Sequence, residues 1–424
     1  MSSAIGLSGM LLLLVLAWCF SSDRKAIRLR TVAGALALQV AIGGFVLYFP
    51  WGKQALAHIS AGVNNAIHYG KDGVAFLFGP LVSPQMSALF SGKGFVFALN
   101  VLPLVIFFSA LISVLYYLGI MQWVIRLLGG AIQKLLGTSK TESMSATSNI
   151  FVGQSEAPLV IKPFLARMTD SEFFAVMVGG MASISGTTLA GYAALGVKMD
   201  YLVAASFMAA PGGLLFAKLL MPENGFRSPG YMPDENAPPA RQPVNILEAA
   251  AEGAASGLKL AVNIGAMLLA FIGLIAMLNG LLGGIGDLFG LTLSMERILG
   301  WAFSPLAFLL GVPWQDSAVA GNLIGQKLIL NEFVAYVNFS PWLQDTQSII
   351  AQGLTPLSDK TTAIISFALC GFANLSSIAI LMGGLSVLAP ERRAFIARTG
   401  VKAMAAGTAS NLMSATIAGI FLSL

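Results

Sequence analysis

The sequence predicts an all-α polytopic membrane protein with about eight transmembrane helices and two re-entrant helical hairpins. Two observations carry this. Of 424 residues, 56 % are hydrophobic and 10 % charged, with a mean hydropathy of +0.80. Soluble domains carry roughly 25 % charged residues, and 24 Lys+Arg with 19 Asp+Glu are too few to cover a globule of this length. The second observation is a series of apolar stretches, each close to the ~20 residues a helix needs to cross a bilayer. A soluble enzyme, a nucleic-acid binder and a disulfide-stapled secreted domain are excluded. The net charge of +5 reflects Lys and Arg that mark the cytoplasmic side rather than a nucleic-acid partner.

Crossings are expected at 4–21, 32–50, 95–118, 171–195, 200–221, 259–281, 361–388 and 401–423. The first carries no positive segment ahead of it; Arg24, Lys25, Arg28 and Arg30 follow it instead, which suits a retained span with its N-terminus outside. Basic residues also follow the third crossing (Arg126, Lys134, Lys140), the fifth (Arg227, Arg241) and the seventh (Arg392, Arg393, Arg398, Lys402). An arrangement with both termini outside is therefore self-consistent. Residues 121–138 have amphipathic spacing and suit the membrane interface. The Pro-rich stretch 222–245 reads as a cytoplasmic linker between two halves. His58 and His68 fall in a short, mixed loop, and Cys19 and Cys370 lie inside apolar runs, so neither residue type forms a metal cluster.

Residues 141–168 and 313–340 are apolar at their ends and polar at their middles. A backbone break facing lipid costs several kcal/mol per unpaired group, so such breaks persist inside protein or along a wet cavity. Both segments read as re-entrant hairpins, the first opening to the cytoplasm and the second to the outside. Each precedes a crossing interrupted by small polar residues, Ser183–Thr188 in one and Cys370–Ser377 in the other. Paired, interrupted segments at corresponding places point to inverted repeats around a transporter's binding site.

In the first hairpin, Gly153 permits a tight turn and Pro158 suits the start of a short helix. That helix would aim its positive end at Ser155 and Glu156. Gln154 donates and accepts while ionised Glu156 only accepts, a set able to read the edge of a flat heterocycle such as a nucleobase. The plainer reading is that Glu156 caps a helix; an intramembrane carboxylate is nonetheless a functional candidate by default. Glu332, in an apolar run with Lys327 as its nearest basic neighbour, either forms a structural contact with Lys327 or accepts bonds from sugar hydroxyls. Asn374 and Ser377 would share a face with each other and complete a hydroxyl-binding set, with Phe372 as a wall for a ring. Asn149 and Ser183, with the carbonyls of Val152 and Ile184, offer hard oxygen donors for a monovalent cation. The alternative is that both side chains bond neighbouring helices. A membrane-embedded enzyme pairing Glu156 with Glu332 is the competing class, but no Ser/Lys pair or phosphate loop accompanies them.

Four ordered motifs carry a family resemblance: Gly153–Pro158, Gly180–Ser183, Asn331–Tyr336 and Ala368–Asn374. From about 95 to the C-terminus the chain resembles bacterial members of the concentrative nucleoside transporter family. The resemblance implies a homotrimer in the inner membrane, with a transport domain moving against a scaffold. It implies sodium symport, with proton coupling as the alternative seen in some relatives, and no cofactor. Gln154, Ser155, Glu156 and Thr188 would contact the base, Phe372 would lie by base and ribose, and Glu332, Asn374 and Ser377 would hold the ribose. Asn149, Val152, Ser183 and Ile184 resemble the sodium site. The implied division is 1–140 as mainly scaffold, 141–222 as the first transport repeat, 223–312 as linker, scaffold span and interfacial helix, and 313–424 as the second transport repeat.

Overall fold

The computed structural model describes residues 2–83, 96–154, 156–225 and 243–423, and every regular element among them is helical. The N-terminal part comprises α1 (Ser2–Cys19), α2 (Leu29–Leu47), α3 (Pro50–Phe78), α4 (Phe97–Tyr117) and α5 (Ile120–Leu136). The short, mixed loop expected around His58 and His68 is instead α3, a helix of 29 residues. Its buried residues Gly52, Leu56, Ser60, Ile67, Gly70 and Val74 recur at helical spacing, so an amphipathic helix forms although its mean hydropathy is too low for a crossing. The amphipathic helix α5 forms where expected, with Met121, Ile125, Gly129, Ile132 and Leu136 on its buried stripe. Gly119 and Gly137, at φ +77° and +67°, bound it in left-handed conformations that disfavour a Cβ.

The chain continues through α6 (Lys140–Ser148), a break, a 3₁₀ segment (Ala157–Arg167), α7 (Asp170–Ala182), α8 (Gly186–Ala194) and α9 (Met199–Leu220). The α-helical arm expected from Pro158 is this 3₁₀ run. Pro158 and Pro163 remove two N–H donors within eleven residues, and a 3₁₀ run aligns its bonds less well than an α-helix. The second part contains α10 (Ile246–Leu288), α11 (Met295–Leu309), α12 (Trp314–Ile329), α13 (Glu332–Phe339), α14 (Thr346–Ala351), α15 (Asp359–Leu369), α16 (Leu375–Leu388) and α17 (Arg393–Phe421). Helices α11 and α12 fold back on each other with a 116° bend.

Both interrupted crossings are broken where their polar residues lie. Ser185 ends the first break by accepting the Thr188 N–H, and Asn374 ends the second by accepting the Ser377 N–H. Each cap satisfies a donor that a starting helix would leave unpaired. Among the described residues five helices are long and apolar enough to cross a membrane, or six counting the bent α11–α12 pair. The longest, α10, has 43 residues; at 1.5 Å per residue it spans about 65 Å, twice a hydrocarbon core of ~30 Å.

Helices α4 and α10 meet along a seam of small residues. A Cβ on Gly257 would lie 2.7 Å from Ser109 Cβ and 2.8 Å from Ile106 Cα, and one on Gly253 would meet Ser113 Cβ at 2.6 Å. Small residues four apart let membrane helices approach this closely. Gly257→Val is expected to cost about 1–3 kcal/mol by overpacking, read as a lowered thermal-unfolding midpoint of the purified protein. Helices α1 and α2 lie elsewhere, against α9 and α17: Gly43 abuts Met208 and Ile417, Gly6 abuts Ile420, and Gln39 Nε2 donates to Ser414 Oγ at 2.8 Å.

Candidate functional site

The two broken spans touch at their breaks. The Phe372 N–H donates to the Ser183 carbonyl at 3.0 Å, and the Gly186 N–H donates to Phe151 of the first hairpin at 2.9 Å. Asn411, from α17, inserts at the junction; its Nδ2 donates to the carbonyls of Ala182 (2.6 Å) and Cys370 (2.9 Å). Its Oδ1 accepts from Lys327 Nζ at 2.6 Å, and Lys327 also donates to the Ala368 carbonyl at 2.8 Å. Two breaks, one hairpin and α17 are thereby joined through a single amide. Gly371 makes room for it, since a Cβ there would collide with Asn411.

Beside this junction lies a cavity of about 500 Å³. Gln154 and Glu156 of the first hairpin and Thr188 after the first break line it, as do Glu332 of α13 and Phe372, Asn374 and Ser377 of the second break. The sequence-predicted substrate residues thus share one chamber, apart from Ser155, which lies outside the described residues. The two carboxylates differ in setting. Glu156 is open to the cavity and accepts the Gly153 N–H at 3.3 Å. Glu332 is 4 % exposed, with Oε1 accepting from Tyr192 Oη at 3.1 Å and Oε2 from Asn374 Nδ2 at 2.9 Å. The alternative contact of Glu332 with Lys327 gives way to these bonds, because the lysine points to Ala368 and Asn411. Gln154 Nε2 donates to Ser377 Oγ at 3.2 Å, joining residues 223 positions apart, while its buried Oε1 has no partner among the described residues. Thr188 Oγ1 bonds the Ser185 carbonyl at 2.9 Å. Among the described residues no Lys or Arg lines the chamber.

Asn149, Val152, Ser183 and Ile184 are all buried. Asn149 Nδ2 donates to the Ser145 carbonyl at 3.0 Å, and Ser183 Oγ to the Gly179 carbonyl at 2.9 Å. Asn149 Oδ1 is buried with no hydrogen-bond donor among the described residues, an acceptor of the kind a hard cation uses. A Cβ on Gly179 would sit 3.2 Å from Asn149 Nδ2, so the hairpin break abuts the end of α7.

Sequence reasoning missed Tyr192 and Asn411, which act across 140 and 229 positions. It also missed the wall of α10, where Ser256, Leu260, Asn263 and Met267 face the cavity at helical spacing. The i, i+4, i+7, i+11 stripe with an asparagine in it was the available signal. A second cavity, of about 490 Å³, shares Glu156, Thr187 and Ser256 with the first and runs past Ser113, Tyr116 and Glu252.

Family models for the Na+ dependent nucleoside transporter N-terminus and C-terminus match residues 8–81 and 201–419, and one for nucleoside recognition matches 98–199. The chain is 52 % identical to the nucleoside permease NupC of Helicobacter pylori, over 100 % of this chain and 99 % of the relative. It is 39 % identical to sodium/nucleoside cotransporter 1 of Rattus norvegicus, covering 98 % of this chain and 63 % of the rat protein. The solved structure of CNTnw in an inward-facing substrate-bound state superposes with a TM-score of 0.93 at 55 % identity, over 100 % of this chain and 98 % of that one. A nucleoside-transporter assignment, not an enzymatic one, follows from the ordered motifs, the chamber lined from both broken spans and these matches: the chain belongs to the Na+ dependent nucleoside transporter family.

Proposed function

We propose that this protein imports nucleosides across the bacterial inner membrane by sodium symport. One observation carries the reading: a single chamber gathers amide, hydroxyl and carboxylate groups from both repeats and lacks any basic side chain. Gln154, Ser155, Glu156 and Thr188 serve the base, and Glu332, Asn374 and Ser377 hold the ribose, with Phe372 against the ring. A phosphate would bring its charge toward Glu156 and Glu332 with nothing to compensate it, so nucleotides are excluded. Asn149, Val152, Ser183 and Ile184 take the sodium ion, with the orphaned Oδ1 of Asn149 as the group that most needs it.

In this reading the chain makes eight crossings and two re-entrant hairpins, keeps both termini outside, and works as a homotrimer. The chamber and its repeats slide as one body along α4 and α10, an elevator-type alternating access, and the second cavity is the cytoplasmic release route. The division of 1–140 as mainly scaffold is narrowed on packing grounds: α1 and α2 lie on α9 and α17 and travel with the moving body.

Uptake of labelled uridine and adenosine into vesicles tests the reading. Under an inward sodium gradient uridine should accumulate unchanged and above its outside concentration, and equimolar choline should abolish this. A hydrolysis-protected nucleoside monophosphate should not accumulate. Accumulation driven by a proton gradient alone would replace sodium with the proton, and equilibration without accumulation would make the protein a passive channel.

A further inference from the structure

Each repeat brings its hairpin to the same point of its broken span. Six residues before the cap of each break stand Gly179 in the first repeat, before Ser185, and Ala368 in the second, before Asn374. At Gly179 the neighbour from the hairpin is Asn149. At Ala368 it is Lys327, whose Nζ is 2.8 Å from the carbonyl. Both positions lie in the last turn of a half-helix, α7 or α15, at the negative end of its dipole; the Gly179 carbonyl accepts from the Ser183 N–H and Oγ. The atom beside Gly179 is Asn149 Nδ2, and the same amide leaves Oδ1 as an acceptor with no hydrogen-bond partner among the described residues. The second repeat supplies a donor from its own chain.

Lys327 is 1 % exposed. A buried ammonium is expensive in a membrane protein, and no step in nucleoside recognition uses this one. Its bonds, 2.8 Å to Ala368 and 2.6 Å to Asn411 Oδ1, lie within or just below the range of charge-assisted hydrogen bonds.

We propose that the Lys327 ammonium is a tethered cation, occupying in the second repeat the place where the first repeat takes a soluble one. This rests on the sodium reading of Asn149. The ribose half of the chamber is then assembled permanently, with Asn374 held against Glu332 beside the lysine-bound break. The base half is assembled only when the ion arrives. Coupling therefore acts through one repeat, and the second is locked by a residue that cannot dissociate.

Uridine binding to the purified full-length protein, titrated with sodium chloride against choline chloride, tests this on Lys327→Ser and Lys327→Met. The serine variant opens space and offers an oxygen. It should require a second sodium ion, with a steeper titration and a half-saturating concentration raised about ten-fold or more, and uridine affinity at saturating sodium within about threefold of the unaltered protein. The methionine variant fills the space without charge, so uridine affinity should fall about 100-fold and sodium should not restore it. A serine-variant titration that superimposes on that of the unaltered protein overturns the proposal, as does a methionine variant binding within about threefold. If the methionine variant does not fold, thermal unfolding of the serine variant decides: stabilisation by sodium beyond choline and beyond that of the unaltered protein supports the tethered cation, and its absence overturns it. A flat titration of the unaltered protein removes the sodium reading of Asn149 by itself; sodium dependence newly gained by the serine variant would still uphold Lys327.

Discussion

Glu332→Ala is expected to lower nucleoside affinity and uptake by about 100-fold or more, which is close to 2.7 kcal/mol. The carboxylate sits in a buried setting where Tyr192 and Asn374 already donate to it. Its remaining lone pairs face the chamber and are available to ribose hydroxyls. A hydrogen bond to a charged group contributes about 1.5–3 kcal/mol net, and each buried donor left unpaired costs about 1–3 kcal/mol. The alanine variant removes the first term and adds the second for Tyr192 and Asn374. A free nucleobase lacks the ribose, so its affinity should change by less than about fivefold. Competition of uridine and uracil against a labelled nucleoside separates the two terms. Equal losses for both ligands would contradict the ribose assignment.

Asn149→Ala should raise the sodium concentration for half-maximal uptake by about ten-fold or more, equivalent to about 1.4 kcal/mol, while uptake at saturating sodium partly recovers. Asn149 Oδ1 is a buried acceptor without a donor, an arrangement that persists in folded proteins when something outside the protein fills it. Alanine deletes that acceptor and leaves the Ser145 carbonyl with the backbone N–H of residue 149 but without Nδ2. Sodium titration of uridine uptake reads the shift, and an unaltered titration would move the cation elsewhere.

Much of the architecture was legible because membrane crossings and their interruptions are local in sequence. The breaks at Ser183–Ser185 and Cys370–Asn374 announced themselves as small polar residues inside apolar runs, and Ser185 and Asn374 are residue types that cap helices. Helix α3 was hidden by polar residues dispersed along all of its 29 positions, although the spacing of its buried residues carried the helical period. The extent of α10 was hidden because its first turns, rich in Ala, Gly and Glu, are less apolar than a crossing; the Asn245–Glu248 cap was the overlooked start signal. The 3₁₀ arm after Glu156 followed from two prolines whose joint effect exceeds that of Pro158 alone. Lys327 and Asn411 could not be paired from sequence, since 84 positions separate them and either one alone reads as an ordinary polar residue near a membrane boundary.

One amide of α17 binds both interrupted spans, which holds the chamber-lining residues of the two breaks as one unit. In the proposed transport cycle, the fit of base and sugar is settled by that joined unit once the ion has bound. Under the proposed elevator movement, its rate of travel is settled at another surface, the glycine-lined pair α4 and α10. Substitutions at the Gly253 and Gly257 seam, which leave the chamber-facing Ser256, Leu260, Asn263 and Met267 in place, would then quicken or slow the proposed movement with the lining unchanged.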